Sequence, residues 1–168
     1  MRTAVLIVLL LAPACLPGQP GTASSTPAVI PIDAGGLQAL RDSARGNVVL
    51  VNFWATWCAP CIEEFPNLLK LRQEEAAKGL TVIFVSIDRP SQAGTTLARF
   101  LKNHGVTFTT YIKKAGDDEG FINAVDKEWS GALPATFIYD RAGKLAHFLL
   151  EAQSLESFRK HIQPLLAH

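Results

Sequence analysis

The chain has 168 residues, 16 Lys and Arg against 15 Asp and Glu, a net charge of +1 and 48% apolar residues. The two signs are interspersed and no basic run exists, which argues against nucleic acid or an anionic membrane surface as a partner. The length allows one domain with a buried core, and no internal repeat is evident.

The N-terminal segment reads as an export signal. Arg2 supplies a positive start, residues Ala4 to Ala12 are continuously apolar, and Ala12-Pro13-Ala14 fits a small-residue cleavage pattern. The run is too short to cross a bilayer, which takes about 20 residues. Pro13, Pro17, Gly18 and Pro20 follow at once and argue against a core helix. Cys15 stands at the +1 position, so residues 1–14 resemble a bacterial lipoprotein signal, although Ala12 occupies a place where leucine is usual. The expectations are export to the periplasm or cell envelope and a lipid anchor on Cys15. Residues Leu16 to Ile30 are uncharged and rich in Pro, Gly, Ser and Thr, and cannot bury enough apolar surface to offset their ordering entropy. Segment 15–30 is therefore expected to be a flexible tether, and 31–168 a single domain.

Within that domain, Leu37 to Arg45 predicts a short helix closed by Gly46. Val48 to Trp54 is β-branched and apolar without a helical stripe, the mark of a buried strand. A helix is expected from Ala59 to Ala77, kinked near Pro66 and stopped at Gly79. Leu80 to Ile87 predicts a second buried strand, Asp88 to Ser91 a turn, and Thr95 to Asn103 a helix. Val106 to Ile112 is strand-like and Phe121 to Lys127 a short helix. Ala135 to Tyr139 and Lys144 to Leu150 form a hairpin about Asp140-Arg141-Ala142-Gly143. Ser154 to Leu166 closes the chain as a helix capped by Ser154. Strands alternating with helices and then a hairpin predict a mixed-sheet α/β sandwich.

The feature richest in chemistry is Cys58-Ala59-Pro60-Cys61, placed where the first buried strand hands over to a helix. Unpaired N–H groups and the helix dipole stabilise a thiolate at that point, so Cys58 should be an unusually acidic thiol. Zinc would need four ligands, and the only other cysteine is Cys15, with no histidine nearer than His104. No metal site is expected, and haem attachment is excluded because Ile62, not a histidine, follows Cys61. As a structural staple the pair closes too small a loop to contribute much. A disulfide that opens and closes remains. Cys58 is the expected nucleophile and Cys61 the resolving thiol, with Pro60 presetting the first helical turn. His104, His147, His161 and His168 are scattered and fall to surface or helix-end roles.

The segment Phe53-Trp54-Ala55-Thr56-Trp57-Cys58-Ala59-Pro60-Cys61 resembles the active site of thioredoxin-fold proteins. With Glu64-Phe65-Pro66 it is similar to the TlpA/ResA branch: membrane-tethered thiol-disulfide oxidoreductases outside the cytoplasm, including the cytochrome c maturation reductases of the DsbE/CcmG type. Gly131-Ala132-Leu133-Pro134-Ala135-Thr136-Phe137 gives a second matching motif. The resemblance covers Val48 to the C-terminus and implies a thioredoxin-like three-layer sandwich with a mixed central sheet and a central insert at about 88–129. That insert serves either fold elaboration or partner selection.

The resemblance also implies roles for residues. Leu133 and Pro134 would form a cis peptide that leaves backbone free to pair with an extended substrate, beside Trp57 and Pro60. Glu64, one helical turn after Cys61, would take the proton of Cys61. Thioredoxins proper carry an Asp in the preceding strand, where this chain has Asn52, and this departure favours the TlpA/ResA branch. The expected activity is reduction of disulfides in partner proteins, apocytochrome c among the substrate classes, with a membrane thiol reductant as electron source and no bound cofactor. A disulfide-donating oxidant, a peroxide-linked reductase and, from another class, a Cu(I) metallochaperone are the alternatives. Asp88 is expected to cap a loop.

Overall fold

The computed structural model describes residues 27–167. The signal, Cys15 and most of the tether predicted above, with His168, lie outside the described residues.

In chain order the elements are β1 (Val29–Ile32), α1 (Ala34–Ser43), β2 (Val48–Trp54), α2 (Ala59–Glu75), β3 (Leu80–Ser86), α3 (Ala98–Asn103), β4 (Thr110–Lys113), α4 (Asp118–Val125), β5 (Ala135–Tyr139), β6 (Leu145–Leu150) and α5 (Leu155–Leu166). The strands form one sheet in the order β1-β4-β3-β2-β5-β6. The ladders from β1 to β2 are parallel, and β5 and β6 add antiparallel. The predicted mixed sheet with helices on both faces is thus observed.

β2 is buried at all seven positions, as a strand covered on both faces must be. Val48, Leu50 and Trp54 point to one core, together with Phe65, Leu68 and Leu71 of α2, Leu101 of α3 and Phe158 and Ile162 of α5. Val49, Val51 and Phe53 point to the other, against Leu37 of α1, Phe121 of α4 and Trp129. This period-two division makes three layers from one apolar run. Trp54 is core, as expected.

Differences from the sequence reading have identifiable causes. Val29 and Ile30, counted with the tether on composition, begin β1, where they pair with Thr110 and Tyr111 of β4. Pro31 is tolerated because β1 is the edge strand. β4 is shorter than the run from Val106 suggested, because Gly105 turns the chain at φ 67° and Val106 instead anchors the loop in the core. The predicted helix from Thr95 starts earlier, as a 3₁₀ turn at Pro90–Gln92 and a wide π-type turn at Ala93–Leu97 that lead into α3. α1 and α4 each start about three residues before the prediction because Asp33 and Asp117 cap them, accepting the N–H of Gly36 and Gly120 at 2.8 Å. β4 and α4 are the additions expected between residues 88 and 129, and β4 wedges between β1 and β3.

α2 runs through Pro66, which stands on the exposed side, and a 3₁₀ turn continues it to Gly79. Gly79 adopts φ 93°, and a Cβ there would stand 2.8 Å from Nη1 of Arg141. Arg141, in the β5–β6 turn, donates to the carbonyls of Gly46, Lys78 and Leu166 at 2.8, 3.2 and 3.0 Å. It fastens the starts of β2 and β3 to the end of α5, at the end of the sheet opposite the cysteines.

Candidate active site

Trp54 closes β2 and four residues later Cys58 caps α2. The Cys58 backbone is extended (φ −91°, ψ 100°) and its Sγ accepts the N–H of Cys61 at 3.3 Å. Cys58 and Cys61 form a disulfide with Cα atoms 5.2 Å apart. Cys58 is 6% exposed and Cys61 fully buried, so Cys58 is the more accessible of the two. Its thiolate in the reduced form would face the N–H groups of the first turn, the setting that lowers a thiol pKa.

The loop that carries Cys58 is held from β3. Buried Asp88 accepts the backbone N–H of Thr56 at 3.0 Å, the Thr56 hydroxyl at 2.6 Å and the Ser86 hydroxyl at 2.7 Å. The expected loop-capping role of Asp88 is therefore met, and the loop it holds is the one leading to Cys58.

Trp57 is 66% exposed and Pro60 is also on the surface. Trp57 forms one wall of an open cleft of about 580 Å³, completed by Ile87, Arg89, Ser91 and Gln92 from the start of the central insert. The Leu133–Pro134 peptide is cis. Pairing of Phe53 with Ala135 brings Pro134 to the end of β2 from which the cysteine loop departs. Of the residues singled out in the sequence, Trp57, Cys58, Pro60, Cys61, Leu133 and Pro134 thus lie around one end of the sheet.

Glu64 is on α2 one turn beyond Cys61 and only 2% exposed. Oε1 accepts Nδ2 of Asn52 at 2.8 Å and Oε2 accepts the backbone N–H of Gln153 at 2.9 Å. Among the described residues no ion pair involves it. Burial pushes the Glu64 carboxyl above the ordinary glutamate value, outweighing the Gln153 and Asn52 hydrogen bonds, which favour the ionised form. Glu64 borders a pocket of about 220 Å³ that it shares with Glu63, Asn67, Ala152, Gln153 and Ser154. A carboxyl so placed holds a proton more readily than an exposed glutamate does.

Sequence reasoning named Asn52 only as a departure from a pattern, yet it is fully buried and bonded to both Glu64 and Thr136. A polar residue inside an otherwise apolar seven-residue strand was the signal available. Gln153 was not anticipated, since its contribution is a backbone N–H. Among the described residues no group of three or more His, Cys, Asp or Glu side chains is arranged to hold a metal ion.

Comparison with known proteins places the chain among thiol chemists. The AhpC/TSA family model matches residues 28–148. The chain is 27% identical over 173 residues to the thiol-disulfide oxidoreductase ResA of Geobacillus kaustophilus, spanning 98% of this chain and 94% of that protein. It is 38% identical over 130 residues to the thiol:disulfide interchange protein HelX of Rhodobacter capsulatus, 76% of this chain and 64% of HelX. A crystal structure from Chlorobium tepidum, assigned as the thiol:disulfide interchange protein DsbE, superposes with a TM-score of 0.61 at 26% identity, covering 74% of this chain and 84% of that one.

Proposed function

The chain belongs to the AhpC/TSA family and is a thioredoxin-like thiol-disulfide oxidoreductase, and we propose that it works as a reductase of disulfides in partner proteins outside the cytoplasm. The observation that carries this reading is the Cys58–Cys61 pair at the start of α2 with buried Glu64 one turn further along the same helix.

In the reduced form the Cys58 thiolate attacks one sulfur of a partner disulfide, forming a mixed disulfide and expelling the other partner sulfur as thiolate. Cys61 then loses its proton to the Glu64 carboxylate and attacks Sγ of Cys58. The second partner thiolate leaves, the Cys58–Cys61 disulfide forms, and two electrons have passed to the partner. Glu64 returns the proton to water through the pocket beside Gln153. Leu133, before the cis Pro134, offers backbone to an extended partner segment, and Trp57 with Pro60 borders its path. A membrane thiol reductant would restore the dithiol in an oxidising envelope. Apocytochrome c is the substrate class favoured by likeness to ResA-, HelX- and DsbE-type proteins. Export and a lipid on Cys15 are proposed from the sequence of residues 1–15 alone.

The reduction potential of the Cys58–Cys61 couple tests the direction. A value near thioredoxin's, about −270 mV or lower, supports the reductase; a value near about −120 mV makes the protein a disulfide donor and overturns the reading.

A further inference from the structure

Asn52 occupies a position from which an amide can bond its neighbour in both protonation states. It points from β2 toward α2, is fully buried, and faces Glu64 and Thr136 at once, donating from Nδ2 to Glu64 Oε1 at 2.8 Å and to the Thr136 hydroxyl at 3.0 Å. Thr136 stands directly across the antiparallel ladder from Asn52 and is itself 2% exposed. The other end of the amide, Oδ1, is buried without a hydrogen-bond partner among the described residues. The amide orientation is dictated by the carboxylate it faces, since an ionised Glu64 accepts and cannot donate.

A protonated Glu64 reverses that requirement. With the proton on Oε1, the atom that faces Asn52, that O–H and the Nδ2 donors would meet with no acceptor between them. A half-turn of the Asn52 amide exchanges Nδ2 for Oδ1, which then accepts from the Glu64 O–H. The Thr136 hydroxyl, acceptor in the first arrangement, becomes donor in the second. One end of the amide lacks a partner in either arrangement, the carbonyl oxygen in the first and the NH2 group in the second. An aliphatic residue at position 52 has no such pair of arrangements, and an aspartate has one only by taking up a proton of its own.

We propose that Asn52, backed by Thr136, is the positioning residue that lets buried Glu64 accept and release a proton, by turning its side-chain amide with the charge of the carboxyl. This deepens the reading of Glu64 as acceptor of the Cys61 proton and rests on it. The charged and titratable surroundings are simple. Glu63 lies on the rim of the same pocket and Cys61 one turn back on α2, while β2 contributes Asn52, β5 Thr136 and the β6–α5 loop the Gln153 N–H, none of them charged.

Nuclear magnetic resonance on the full, reduced protein tests it. The Asn52 side-chain NH2 should contact Thr136 above the Glu64 titration midpoint and lose that contact below it, with the midpoint of the change equal to that of the Glu64 carboxyl carbon. An NH2–Thr136 contact that persists throughout overturns the proposal. Asn52→Asp, nearly the same shape, should split the Glu64 titration into two steps, the later at least about one pH unit above wild type; an unchanged single step overturns it equally. Turnover of Glu64→Gln is scored separately. If its pH profile matches wild type, the catalytic reading of Glu64 fails, whatever the resonances of Asn52 do.

Discussion

The carboxylate of Asp88 at the end of β3 holds Thr56 by both its backbone N–H and its hydroxyl, two residues before Cys58. The first position of α2 is thereby fixed from a neighbouring strand, not only by the helix that follows. The Ser86 hydroxyl shares the same carboxylate and the Ile87 N–H bonds the Trp54 carbonyl at 2.8 Å, so β2 and β3 end together at the site. Asp88→Ala strips the acceptor from three donors, and the unfolding free energy of the oxidised protein should fall by about 2–4 kcal/mol in urea titration. Asp88→Asn keeps one acceptor oxygen and should lose less. Equal stability of Asp88→Ala and wild type would contradict this account.

Glu64→Gln retains a partner for Gln153 but cannot take a proton from Cys61. Resolution of the mixed disulfide should slow on the order of a hundredfold, while formation of the mixed disulfide by Cys58 stays close to wild type. Rapid mixing with a disulfide peptide separates the two steps. A variant that slows only the first step would move Glu64's role to Cys58.

Glu64 should also mark the pH dependence of stability. Its folded-state carboxyl titrates above the ordinary value of 4.5 because burial disfavours the charge. The fold therefore binds the proton more tightly than the unfolded chain does. That contribution is fully present below about pH 4.5 and is lost as pH rises through the folded midpoint. Relative to Glu64→Gln, which has no such proton, wild type should become progressively less stable as pH rises from the unfolded value of 4.5 through the higher folded midpoint. A difference that is constant over that window would place Glu64 in water-like surroundings.

Trp57 contributes exposed area, so its removal should separate binding from folding. Trp57→Ala should lower kcat/KM for a protein disulfide by about tenfold while changing unfolding by less than about 0.5 kcal/mol. Arg89→Glu, on the facing wall of the same cleft, should shift the preference toward basic partner segments. Unchanged kinetics with both variants, measured on one acidic and one basic disulfide peptide, would remove this cleft from partner docking.

Arg141 joins three chain segments through their carbonyls, remote from the cysteines. Arg141→Met keeps much of the stem packing but leaves those carbonyls without the guanidinium, and should cost about 1–3 kcal/mol. At about 2–4 °C per kcal/mol, calorimetry would resolve the drop in Tm. The Cys58–Cys61 potential should not move.

The features legible in the sequence were those whose cause is local. β2 was readable because a strand covered on both faces must be apolar throughout, and Val48 to Trp54 matches its observed bounds. Ser154 announced α5, and its side chain accepts the Ser157 N–H at 3.1 Å. Cys58 at the head of a helix followed from a buried strand, Cys-x-x-Cys and an expected helix in succession. β1 was not legible, because Val29–Ile32 sits in a Pro-rich context and becomes a strand only by pairing with β4, far along the chain. The π-type turn before α3 has no residue signature of its own.

By itself the sequence determined the reagent: two cysteines at redox spacing, a helix to polarise the first, a glutamate one turn beyond the second, and a proline motif resembling that of a known fold. Only the tertiary structure decided how those groups are tuned. Asn52 and Glu64 are joined because β2 passes beneath α2. Gln153 reaches the same carboxyl because α5 packs on the same face. Asp88 clamps Thr56 because β3 lies beside β2 in register. Residue type and spacing along the chain carry the intrinsic chemistry of a group, whereas its proton affinity and exposure depend on what distant segments bring within hydrogen-bond distance, and that is set only when the sheet closes.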